Sequence, residues 1–256
     1  MTESAKVIKN ILKIYKFILK SSFKSNNNFL LLPILKKIPF SAKLFRKKIP
    51  IEQDKSTYYE EKYQFNYEDW FSENCAVWSY FFDKENLINK KINYLEIGCF
   101  EGRSTLFVHE NIKDCKINVV DSFKGGTEHS DTDQDSFKEI NYDIVLNNFT
   151  KNVSSFKNKV KIFKMTSNEF FQNNKEKFDL IYVDGSHYID DVVKDCANSF
   201  NFLNKNGLII FDDFLWNYYK NINSNPVGAI LPFIKKNIEK IEVLYINRQV
   251  ILKKID

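Results

Sequence analysis

Glycine is scarce in this chain. There are seven in 256 residues and none before Gly98, so those that fall at strand ends are placed for the backbone freedom they give. Cysteine is scarce too. Cys75, Cys99, Cys115 and Cys196 form no CxxC pair and no zinc-type spacing, which reads as reduced thiols in a cytosolic protein. No apolar run approaches the ~20 residues that cross a bilayer, and lysines interrupt the apolar positions near the start, which argues against a cleavable secretory leader. Acid is almost absent from residues 1–50, where Glu3 stands against 12 Lys and Arg; the remaining 206 residues carry 26 basic and 32 acidic side chains. The net charge of +5 therefore hides a mildly acidic body behind a basic arm, a distribution unlike that of a globally basic nucleic-acid binder.

The arm comes first. Lys6, Lys9, Lys13, Lys16 and Lys20 fall on one stripe of a predicted helix over residues 5–20, opposite Val7, Ile8, Ile11, Leu12, Ile14, Phe17 and Ile18. A polar linker (21–28) and a second basic-apolar stretch (29–48) follow, the latter cut into short pieces by Pro33, Pro39 and Pro50. Two readings stand: peripheral contact of residues 1–48 with anionic lipid at the inner membrane surface, or a helix that caps the fold or pairs two copies. The absence of Arg before Arg46 argues against a targeting segment.

Residues 51–91 form a helical lead-in, and from Ile92 onward strands and helices alternate. Strands are predicted near 92–97, 117–121, 159–164, 179–183, 207–211, 241–246 and 248–253. Helices are predicted near 103–112, 134–148, 167–173, 189–203 and 227–239. Alternation of this kind implies an α/β fold, a Rossmann-like and mostly parallel seven-stranded sheet with helices on both faces. The last two strands, with no helix between them, imply an antiparallel edge hairpin.

Ligands of such sheets lie beyond the carboxyl ends of the strands, and each predicted strand here ends in polar residues. The first runs into Glu96-x-Gly98-x-x-x-Gly102, where Gly98 permits a tight turn and Gly102 a close backbone approach to a ligand. The second ends at Asp121 and Ser122, with the acid 23 residues past Gly98 and suited to a ribose diol. Thr166 and Ser167 follow the third strand, placed to bond a base edge. Asp184 and His187 follow the fourth, and Asp212 and Asp213 the fifth. A pyrophosphate loop prefers Gly-x-Gly-x-x-Gly; here Cys99 and Phe100 follow Gly98, and Glu96 and Glu101 suit a cofactor carrying a sulfonium and an ammonium. An NAD-dependent oxidoreductase is therefore the weaker alternative.

From about Tyr67 to Lys253 the chain resembles class I S-adenosylmethionine-dependent methyltransferases, most closely the small-molecule O-methyltransferases of macrocin and catechol type. Glu96-x-Gly98-x-x-x-Gly102, Asp121, Val183-Asp-Gly-Ser-His187, Asn206-Gly207 and Phe211-Asp-Asp213 match the group's motifs in order and spacing. The resemblance implies a methyltransferase domain over 92–256. It also implies S-adenosylmethionine contacts from Glu96, Gly98, Gly102, Ser104, Asp121, Ser122, Thr166, Ser167 and Asp184, and methyl transfer to a hydroxyl of a small molecule or glycan. Asp184, Asp212 and Asp213 are the expected Mg²⁺ ligands, an all-oxygen set that favours a hard ion; the alternative is that they bond backbone or cofactor in a metal-free site. Asp184 and His187 are the expected catalytic residues, His187 as the base, although a bond to a loop carbonyl would account for that histidine equally well. His129 and Trp216 are candidates for the substrate pocket. Asp69, Trp70, Phe71, Trp78 and Tyr80 read as a lid or, more simply, as core. Asp190, Asp191 and Asp195 read as acids that offset a helix dipole. A non-catalytic module at a membrane or protein assembly is the remaining alternative, against which the full set of acids argues.

Overall fold

The computed structural model describes residues 55–125 and 140–256. The predicted arm helix, the start of the predicted 134–148 helix and His129 lie outside these residues. The lead-in contributes α1 (Lys55–Lys62), a 3-10 turn (Ser72–Asn74) and α2 (Cys75–Lys84). The alternating part then runs β1 (Lys91–Ile97), α3 (Arg103–Asn111), β2 (Asp114–Asp121), α4 (Tyr142–Asn152), β3 (Val160–Lys164), α5 (Ser167–Asn173), β4 (Phe178–Val183), α6 (Ile189–Phe202), β5 (Leu203–Phe211), α7 (Val227–Lys236), β6 (Ile241–Ile246) and β7 (Val250–Lys254).

The sheet has seven strands in the order β3-β2-β1-β4-β5-β7-β6. The first five run parallel, and β7 pairs antiparallel with both β5 and β6. The expected architecture is therefore present, down to the antiparallel edge. β1 is central, pairing β2 on one side and β4 on the other. Chain order reverses there, so the loops leaving β1 and β4 diverge and open a crevice at the carboxyl edge.

Period-two alternation sorts the strand residues between two cores. Leu95, Ile97, Ile181, Val183, Ile209 and Phe211 face one way and pack with α5, α6 and α7. Tyr94, Leu180, Tyr182, Leu208 and Ile210 face the other way, with α2, α3 and α4. Trp78 and Phe71 belong to this second core, so the lead-in aromatics are mainly packing rather than lid; Trp70 is the exception, about half exposed.

Local chemistry fixes the helix ends that matter for the site. Thr166 accepts from the Glu169 N–H and Glu169 reaches back to Thr166, a capping box that starts α5 at the end of β3. Asn141 accepts from the N–H groups of Asp143 and Ile144 and starts α4. The C-terminal carbonyls of α6 are met by Lys254, which bonds the Phe200 and Leu203 oxygens at 3.0 Å. The predicted β5 begins four residues late, because helix and strand abut at Phe202–Leu203 with no breaker residue between them. Among the described residues no helix is long and apolar enough to cross a membrane.

Candidate active site

The glycine loop is built by contacts with the neighbouring strand ends. Gly98 has φ +78°, and its N–H donates to the Val120 carbonyl at 2.8 Å. A Cβ on Gly98 would lie 2.0 Å from the carbonyl oxygen of Asp184, so no side chain fits where β1 and β4 part. Asp121 then ties the loop down: one oxygen accepts from the N–H groups of Cys99 (2.9 Å) and Phe100 (3.2 Å), the other from Phe123 (2.7 Å). Phe100 and Phe123 are left-handed, at φ 50° each, and so is Asp213 at φ 55°. Such conformations cost on the order of 1–3 kcal/mol apiece and collect at functional sites; all three follow strand ends on one rim.

Several expected ligand-facing residues turn inward instead. The space beside Gly102 (φ +95°) is filled by the Phe149 ring, 2.9 Å from where a Cβ would be, so the missing side chain gives α4 room to pack. Glu96 is fully buried and accepts from Ser104 and, at 2.6 Å, from Thr105. Burial pushes its carboxyl up to about 7, against the lowering effect of the Ser104 and Thr105 hydroxyls. Ser104 is thereby committed to pinning α3 on β1. Glu101 is also buried and accepts from the N–H groups of Asn66 (2.8 Å) and Tyr67 (3.1 Å) and from Asn148 (2.7 Å). It clamps the lead-in, and so does not offer the cofactor the rim charge expected of it. Tyr67 and Trp70 lie against Phe100, with centroids at 5.6 and 5.0 Å. The Thr166 hydroxyl serves its capping box, and Ser167 lies close enough to Asp195 to pull its carboxyl down against burial. Asp195, read from the sequence as offsetting a helix dipole, is buried, and desolvation pushes its carboxyl up to about 6. Ser122 stays near the rim, its hydroxyl accepting from the Lys124 N–H at 3.3 Å.

The acidic rim differs in one member from the expected trio. Asp184, His187 and Asp213 bring one ligand atom each within 4.8 Å of one another. His187 Nε2 is 2.5 Å from Asp213 Oδ2, and its ring stacks on Trp216 (4.6 Å, 18°). Trp216 also stacks on Tyr218 at 5.4 Å, so it braces His187 before it lines any pocket. Asp212 turns away from the group to Tyr182 and Gln249, and His187 takes the place expected for it. The Asp184 carboxyl is pushed well above the carboxylate range by desolvation and by the charges of Asp212 and Asp213. Its side chain is still open to solvent, so repulsion is the firmer cause. Asp212, pushed up to about 6, is desolvated and faces Asp213, while its bonds to Tyr182 and Gln249 pull the other way. A recess of about 550 Å³ lies elsewhere, lined by Glu60, Gln64, Tyr67 and Arg103 among others, and none of the strand-end carboxylates faces it.

Residues 95–214 match a family model described as a methyltransferase domain. Over that segment the chain is similar to methyltransferase domains. No curated protein matches it. Among solved structures the chain is similar to a protein assigned as an O-methyltransferase from Klebsiella pneumoniae (12% identity, 87% of this chain and 98% of that one, TM-score 0.55). It is also similar to an O-methyltransferase from Bacillus cereus in complex with SAH (12%, 87% and 100%, TM-score 0.53). A third likeness is to the MycE methyltransferase of the mycinamycin biosynthetic pathway, in complex with Mg and SAH (17%, 78% and 53%, TM-score 0.51). At these identities the likeness establishes the fold.

Two residues of the acidic rim escaped sequence reasoning. Tyr182 was legible, since it lies two residues before Asp184 on β4 and so on the same face. Gln249 reaches the rim from the far hairpin, and its only local signal is a polar residue next to an apolar strand.

Proposed function

We propose that this domain transfers a methyl group from S-adenosylmethionine to a hydroxyl of a small molecule or glycan, with a divalent ion held by Asp184, His187 and Asp213. The observation that carries the reading is the contact between Gly98 and the Asp184 backbone. It sets the cofactor loop and the acidic rim side by side at the point where strand order reverses, so donor and acceptor would meet there.

On the cofactor side, Asp121 would take the ribose diol. A carboxylate has about four acceptor positions and three already hold backbone N–H groups. A bidentate diol would therefore displace the longest of these contacts, that of Phe100. On the acceptor side, two carboxylates and an imidazole form a donor set suited to a divalent ion, and the crowding of Asp184 by Asp212 and Asp213 is relieved by a cation. The imidazole widens the choice from Mg²⁺ alone to Mg²⁺ or Mn²⁺. Such an ion lowers the pKa of a bound hydroxyl and orients its oxygen. The hydroxyl oxygen would form the new C–O bond as the C–S bond breaks, the sulfonium would leave as a neutral thioether, and the proton, already made acidic by the ion, would pass to solvent, because His187 as a ligand has no free nitrogen to take it. The Bacillus cereus neighbour in complex with SAH and the mycinamycin enzyme in complex with Mg and SAH are in keeping with this pairing.

The test is transfer from labelled S-adenosylmethionine across a panel of catechols, polyols and sugars, with EDTA, Mg²⁺ or Mn²⁺. Turnover lost in EDTA and restored by either ion is expected. Turnover indifferent to both would remove the ion and leave His187–Asp213 as a metal-free base.

A further inference from the structure

We propose that Gln249, backed by the indole of Trp78, is a positioning residue for the acidic rim. It holds Asp212 inward against Tyr182 and so leaves Asp184, His187 and Asp213 as the open group. Trp78, on α2, and Gln249, at the entry to β7, are both buried. The Trp78 Nε1–H donates to Gln249 Oε1 at 2.8 Å. An indole can only donate, so the amide oxygen must face it and the amide nitrogen must point the other way. That nitrogen donates to Asp212 Oδ2 at 2.7 Å. The same oxygen accepts from the Tyr182 hydroxyl, and Asp212 Oδ1 accepts from the Asp213 N–H at 2.8 Å.

With three donors in place Asp212 has little left to offer an ion or a substrate. Tyr182 continues the chain, its hydroxyl 2.9 Å from Asp184 Oδ2, and its ring meets the Trp78 ring edge-on at 4.8 Å. The hairpin turn is itself held in register, because the Arg248 carbonyl accepts from the Phe214 N–H at 2.8 Å. A continuous line of contacts thus runs from the core through β7, β5 and β4 to Asp184. Remove the amide, and Asp212 loses the donor that keeps it from swinging towards Asp184 and Asp213. Its consequence for ion binding rests on the function proposed above; the hydrogen-bond chain does not.

Two readouts on the full chain separate these. The first is the indole ¹H–¹⁵N resonance of Trp78 without added metal. Asp212→Asn and Tyr182→Phe should both move it, and His187→Gln, at the same rim but outside the chain, should leave it in place. A resonance unmoved by Asp212→Asn overturns the proposal. The second is Mn²⁺ binding by electron paramagnetic resonance. Gln249→Met keeps the side-chain volume and strips both bonds, and should weaken Mn²⁺ roughly 10-fold or more, as loss of the outer partners of ligands generally does, with SAH affinity within about 2-fold. Trp78→Phe should weaken Mn²⁺ less and in the same direction, and serves if Gln249→Met does not fold. Equal Mn²⁺ affinity in these variants and the wild type overturns the proposal. A wild type that binds no Mn²⁺ while the indole responds as expected keeps the positioning role and overturns the ion reading.

Discussion

Gly98 and Glu96 sit two residues apart and do different work. Gly98→Ala would set a Cβ 2.0 Å from a backbone oxygen at a φ of +78°, and neither backbone can yield cheaply. The expected loss is on the order of 2–4 kcal/mol in a denaturant melt, with SAH binding reduced further than stability alone accounts for. Gly102→Ala meets the edge of a phenyl ring instead and should be milder. Glu96 ties stability to pH. Its folded pKa, about 7, lies above the value of an unfolded glutamate. Between the two the folded state binds more protons, so stability contributed by this group falls as pH rises from about 4.5 to 7 and levels off above. Glu96→Gln should remove that slope and leave the variant more stable than the wild type at pH 8, by roughly 2–4 kcal/mol. Thermal melts at about pH 4 and pH 8 bracket this window. A wild-type slope that survives in Glu96→Gln would assign it to other groups.

At the scale of elements, the lead-in is tied to the glycine loop. Glu101 holds the backbone of residues 66 and 67, Asn152 holds that of Gln64 at 2.8 and 2.9 Å, and Tyr67 and Trp70 rest on Phe100 of the glycine loop. Glu101→Gln keeps one acceptor oxygen and forfeits the other, so at least one buried N–H loses its partner, for a loss of about 1–3 kcal/mol. Faster amide exchange confined to residues 64–71 is expected, together with weaker SAH binding; exchange raised uniformly over the sheet would rule out the clamp. This is also where the sequence was least legible. Strands and helices could be read because apolar periodicity and strand-end polarity are local signals, and β1, β4 and α5 fell within a residue or so of expectation. Glu101 and Glu96 could not be read as inward-facing. A carboxylate beside a glycine loop looks the same in sequence whether it meets a ligand or buried N–H and O–H donors, and those donors come from residues 8 to 47 positions away. Asp212 and Asp213 pose the same difficulty in smaller form. Adjacent identical residues must point in different directions, and the choice is made by Gln249, on a hairpin 37 residues beyond Asp212.

For the whole molecule, strand order decides where chemistry can happen. The two halves of the sheet diverge between β1 and β4, and the groups with perturbed carboxyls and left-handed backbone gather at that edge. On the function proposed above, the edge takes a sulfonium cofactor rather than a dinucleotide. Isothermal titration of the full chain with SAH and with NAD, repeated on Asp121→Ala, separates the two. One SAH site per chain is expected, weakened roughly 10-fold or more by Asp121→Ala as the diol loses its acceptor, with no heat from NAD. Binding of NAD with none of SAH would overturn the assignment.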